Sequence, residues 1–193
     1  MNSQKGKKRK GKSIYKELNT LTIPDNIKKK ADEIYSKMQI PVRRGQPRLQ
    51  MFFACICYAY RELKIPHNQR KIARNISLST DKIPESFKLY SFIKTGYKPH
   101  VYRQTYIDHI PVFYKFTGLT DGEEENIIKI GTSVTNKDQT LLGKDPVCLA
   151  GSLIIYYMQL RGLPVNNEIM EEIGLTHATV NNMVSSVAIA YNS

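Results

Sequence analysis

No lysine or arginine follows Arg161, although the whole chain carries 29 of them against 17 acidic residues. Cysteine is nearly as scarce. Three thiols, an odd number, argue against a disulfide framework. With no Cys-x-x-Cys and no Cys/His pairs at zinc spacing, a tetrahedral zinc site is also excluded. Cys55 and Cys57 lie two apart, about 200° around a helix axis, so they face opposite sides and are expected to be buried structural thiols. No stretch approaches the roughly 20 consecutive apolar residues of a membrane span. The basic N-terminus lacks the apolar segment of a secretory signal. The expectation is a soluble intracellular protein, not membrane-bound and not secreted.

Catalytic signatures are missing too. His67, His100, His109 and His177 stand apart, with no HExxH and no nucleophile elbow, so the chain is read as a non-enzyme without cofactor or metal. His109, at helical spacing from Thr105 and Phe113, is expected to be packed. The acidic run DGEEEN at residues 121–126 lacks the spacing of a calcium loop and suits a helix N-terminus, where acids favour the macrodipole.

What is present is charge, unevenly placed. Residues 1–103 hold 24 Lys/Arg against 7 Asp/Glu, a net +17, whereas residues 104–193 hold 5 against 10, a net −5. Such asymmetry points to a polyanionic partner for the first half. The opening run KGKKRKGK contributes Lys5, Lys7, Lys8, Arg9, Lys10 and Lys12 with no apolar residue between them. Residues 1–12 are therefore expected to be a disordered basic tail, serving as a phosphate contact or a nuclear-import signal.

Helical periodicity dominates the remainder. From Pro47 to Ile65, Leu49, Phe52, Phe53, Ile56, Ala59, Tyr60 and Leu63 mark one helical face. Cys55, Cys57 and Tyr58 make the other sides apolar as well, so this helix should be surrounded by others. A shift of 98 residues lays Ile56-Cys57-Tyr58 on Ile154-Ile155-Tyr156, Ile65-Pro66 on Leu163-Pro164 and Gly45 on Gly143. After each copy come a short helix, a turn with capping residues and a longer amphipathic helix. Pro84 is tolerated only in the first turn of its helix, which places that start near Asp81 to Ile83. Earlier helices are expected at roughly Ser13 to Leu21 and Asp25 to Gln39, and at Gln104 to Thr117 and Asp121 to Val134. The chain reads as an all-α duplication, residues 13–99 and 100–193, with five helices in each copy.

The paired segments RRGQPRLQMFFACICYAYRELKIP and LLGKDPVCLAGSLIIYYMQLRGLP, each followed by a helix-turn-helix, resemble the two cyclin-like repeats in the core of transcription initiation factor IIB. IPDNIKKKADEIYSKM, ESFKLY and TYIDHIPVFYKFTGLT extend the likeness to about residues 13–191. The resemblance implies a protein that docks on a TATA-binding protein at promoter DNA, with RNA polymerase as a further partner. It also implies a monomer working in the nucleus or, for so compact a version, a viral transcription compartment. Carried over by position, Lys71, Arg74, Lys82 and Lys88 become phosphate contacts of the first repeat. His177, Ala178, Thr179, Asn181 and Asn182 occupy the first turns of the second recognition helix.

Two departures stand out. The family's N-terminal zinc ribbon, which recruits polymerase, is replaced here by the basic tail. Where many members carry an arginine suited to guanine, this chain has Asn181, and asparagine pairs bidentately with adenine. The second helix-turn-helix has no Lys/Arg and is preceded by Glu168, Glu171 and Glu172, so it is expected to reach bases only when something else holds it on DNA. Two other classes compete: a nucleic-acid-binding scaffold whose Tyr90, Phe92, Tyr97 and Tyr102 stack on single-stranded bases, although rings at this helical spacing more often belong to a core, and a kinase-binding cyclin.

Overall fold

The computed structural model describes residues 13–193 apart from Gln39, Val42 and Asn166. Helix is the regular structure throughout the described residues, with no strand among them. None of these helices is long and apolar enough to cross a membrane. The chain divides into two compact units, the first ending at Tyr102 and the second spanning Arg103–Ser193.

In the first unit, α1 (Tyr15–Leu18) and α2 (Asp25–Lys37) precede the long α3 (Gln46–Glu62). Ten consecutive residues of α3, Gln50 to Ala59, are buried, so every face of the helix meets protein. Burying a large apolar side chain stabilises by about 1.5–3 kcal/mol, which makes α3 the main contributor to this core. The bidentate pairing of Arg48 with Glu17, one arm of which is 2.8 Å, ties α3 to α1. Cys55 and Cys57 are fully buried, and burial pushes both thiols far above their usual range, which makes them unreactive packing residues.

A short α4 (Gln69–Asn75) follows, then a 3-10 turn at Thr80–Lys82 and α5 (Ile83–Leu89), which carries Pro84 in its first turn. The single longer helix expected to close this copy is not formed. The chain breaks at Tyr90 and Ser91 and resumes as α6 (Phe92–Thr95), giving six α-helices rather than five among the described residues of the first unit. The break has a packing reason: the Tyr90 carbonyl accepts from the Tyr58 hydroxyl at 3.1 Å, and the Tyr90 hydroxyl donates to the Pro47 carbonyl at 2.6 Å. Both bonds anchor this turn to the buried α3.

The second unit holds α7 (Tyr106–Tyr114), α8 (Glu123–Lys137), a 3-10 turn at Gln139–Gly143, α9 (Pro146–Leu160), α10 (Asn167–Ile173) and α11 (His177–Asn192). Thr105 and Asp108 form a capping box at the start of α7, satisfying its orphan N–H groups. Helix α9 repeats the role of α3, buried from Val147 to Met158.

Internal correspondence extends to fine detail. The 98-residue shift that carries Gln69 onto Asn167 also carries the end of α4 onto that of α10 and the end of α3 onto that of α9. Both central helices terminate in the same motif: Ile65 N–H bonds to the Tyr60 carbonyl at 3.0 Å, and Leu163 N–H to the Met158 carbonyl at 2.9 Å. The residue between, Lys64 in one unit and Gly162 in the other, is left-handed with φ 53° and 65°. Gly45 and Gly143, matched in sequence, do different work: Gly45 precedes α3 at φ 60°, whereas Gly143 ends a 3-10 turn and Asp145 caps α9.

Candidate nucleic-acid interface

The first helix-turn-helix begins at Asn68, whose side-chain oxygen accepts from the N–H groups of Arg70 and Lys71 at 3.0 and 3.3 Å. This cap fixes the start of α4. Lys71 and Arg74, three apart, then share one exposed face of the helix, while Ile72 and Ala73 are buried. Across the turn, Lys82 reaches Glu85 at 3.2 Å and Asp81 at 4.0 Å. A cation already held by two carboxylates is a weaker phosphate contact than its sequence position suggests. Lys88 is exposed on α5. Of the four predicted residues, Lys71, Arg74 and Lys88 are exposed and Lys82 is half-buried with two carboxylates beside it.

Further cations on this unit lie outside the helix-turn-helix. Arg43 and Arg44 are exposed just before α3, and Lys94 and Lys98 are exposed on and after α6. The Arg-Arg-Gly sequence before an apolar helix was the available signal for the first pair. Residues 1–12, and with them the six tail cations, lie outside the described residues.

The aromatic rings follow the core reading of their helical spacing, and the stacking surface of the scaffold alternative is not formed. Tyr90 and Tyr97 are buried, 5% and 8% exposed, and the Tyr97 hydroxyl donates to Glu62 at 2.6 Å. Burial first, then the bond to Glu62, raises the Tyr97 phenol well above its ordinary value. Tyr102 is half-buried, which leaves Phe92, 53% exposed, as the open ring of the four.

In the second unit, Gly174 turns the chain at φ 70° and Thr176 caps α11, its hydroxyl oxygen accepting from Thr179 N–H at 3.2 Å. Val180, Val184 and Val187 are buried, so the opposite face turns outward with His177, Ala178, Thr179, Asn181 and Asn182 all exposed. The Thr179 hydroxyl lies 2.8 Å from that of Thr176 and is thus engaged in the cap. His177, Asn181 and Asn182 remain as the groups best placed to meet a ligand. Ser185 and Ser186 are exposed one turn on, each donating to a carbonyl four residues back.

Electrostatically this second element is bare of cations. Arg161, the last one in the chain, pairs with Glu123 and lies against the Tyr157 hydroxyl at 3.2 Å. Glu168 and Glu171 are exposed on α10. Among the described residues no group of His, Cys, Asp and Glu is arranged to hold a metal. His109 is buried against Phe113, and burial lowers the pKa of its imidazole, with Asp108 and Asp145 partly opposing the shift. No family model matches the chain, and no curated protein sequence matches it.

Proposed function

We propose that the protein is a transcription initiation factor of the factor IIB type: two cyclin-like repeats that bind promoter DNA together with a TATA-binding protein and help to assemble the initiation complex. The observation that supports this most is the duplication, in which a fully buried helix, a left-handed cap and a helix-turn-helix recur at a 98-residue offset. On this reading Lys71, Arg74, Lys88 and the basic tail neutralise phosphates, with Lys82 contributing less because of Glu85 and Asp81. The second unit engages a protein partner and presents His177, Asn181 and Asn182 to a few base edges. Such a monomer would work in the nucleus or a viral transcription compartment, with RNA polymerase as a further partner.

A salt-titrated gel shift on an A·T-rich promoter fragment, with and without a TATA-binding protein from the same source, tests the reading. A slower complex that requires both proteins is expected. Alanine at Lys71, Arg74, Lys82 and Lys88 should flatten the log–log salt dependence by roughly 0.9 for each true phosphate contact. An unaltered slope in the quadruple variant would remove these residues from the interface. Asn181→Arg should move base preference from A·T towards G·C; an unchanged preference would remove α11 from base readout.

The cation-free surface of α11 favours a second reading, a nucleic-acid-binding scaffold that uses only its first unit. Equal, sequence-blind shifts in both lanes would select it.

A further inference from the structure

The first unit contains a cavity of about 340 Å³ that none of the predicted contacts uses. Its walls are aliphatic, formed by Ile40, Pro41, Pro47 and Leu89. Tyr90 also lines it, with its hydroxyl already bonded to the Pro47 carbonyl. Arg43 and Lys94 complete the lining, from opposite sides in sequence. Both are exposed, and neither has an ion-pair partner among the described residues. Next to Lys94 in sequence, the large apolar residues Phe92 and Ile93 stand 53% and 93% exposed on α6.

An aliphatic hollow between two unpaired cations is matched by a ligand joining an apolar group to carboxylates. We infer that this cavity docks an acidic protein segment, in which an aliphatic or aromatic side chain enters between Ile40 and Leu89 while flanking aspartates or glutamates pair with Arg43 and Lys94. Exposed apolar surface next to a pocket marks a protein contact, and Phe92 and Ile93 would be covered by the same segment. A nucleic-acid base fits less well. Proline and leucine walls offer no open aromatic face for stacking, and the one phenol present is already bonded. Leu89 of α5 forms one wall, but none of Lys71, Arg74, Lys82 and Lys88 lines the site, and it does not depend on the initiation-factor reading.

The test is fluorescence anisotropy of the full-length chain with a short labelled peptide alternating aspartate with leucine. Its control is the same peptide with serine in place of leucine, which any cationic surface, including the tail, would bind equally. At least tenfold tighter binding of the leucine peptide is expected, and Arg43→Glu with Lys94→Glu should abolish that preference while circular dichroism stays unchanged. Equal affinity for the two peptides would overturn the proposal, as would a preference that survives the double substitution. Methyl resonances of Ile40 and Leu89 give a second readout. Their movement on adding the leucine peptide supports the site, and movement only with a thymidine oligonucleotide would overturn it in favour of nucleic acid.

Discussion

The two units reach a packed core by opposite choices at the same place. Phe53, at the centre of α3, fills its surroundings from within the central helix and meets Phe87 edge-on at 5.4 Å between ring centres. The matching position in α9 is Gly151, and the space a side chain would occupy there is taken by the fully buried Ile173 of α10. A ring supplied by the central helix in one unit is answered by an isoleucine supplied from a neighbouring helix in the other. Interiors are packed to crystal-like density, so a duplicated fold can drift in sequence only when such exchanges compensate.

The sharpest way to probe this exchange is truncation on one side and addition on the other. Phe53→Ala should leave a cavity and cost about 3–5 kcal/mol in denaturant unfolding. Gly151→Ala should cost about 1–3 kcal/mol, because Ile173 has no exposed side towards which to retreat. If Gly151→Ala proved neutral, the close approach of α9 and α10 would not be holding the second unit together.

Smaller effects separate the units further. Thr176→Ala removes the α11 cap and should lower stability by about 1 kcal/mol, and Asn68→Ala should do the same for α4. The shared helix terminus is asymmetric as well: Lys64 carries the left-handed strain that Gly162 avoids. Lys64→Gly should therefore be neutral to stabilising by about 1 kcal/mol, while Gly162→Lys should destabilise by a similar amount. Equal losses from both would break the correspondence between the two caps.

His109 gives the second unit a pH response. Its folded pKa is depressed by burial, so the unfolded chain binds more protons as acid is added. Its contribution is complete above the ordinary histidine value of about 6.5 and is lost as pH falls through the folded value. His109→Gln should flatten the acid limb of a stability–pH curve; an unchanged limb would assign that limb to carboxylates instead.

Much of this architecture was legible in the sequence because helical periodicity is local. The face running from Leu49 to Leu63 announced a central helix, Pro84 located the start of α5, and Thr176 located that of α11. The break after Leu89 was not legible, since the hydrogen bonds behind it join Tyr90 to Tyr58 and Pro47, far away in the chain. The candidate site divides in the same way. Exposure of His177, Asn181 and Asn182 follows from the valine stripe opposite them, and helical spacing already favoured the core for Tyr90 and Tyr97, whereas the groups their hydroxyls bond, the Pro47 carbonyl and Glu62, lie too far along the chain for periodicity to name.

The sequence by itself determined an all-helical chain, a repeated helix order and a strong charge asymmetry, because each depends on residue type and spacing alone. Tertiary structure decided which cations stay available, since Arg161 is held by Glu123 of another helix while Arg43 and Lys94 border an open cavity. It also decided which aromatic rings face outward. Pairing and burial depend on what the folded chain brings alongside, and spacing carries no record of that.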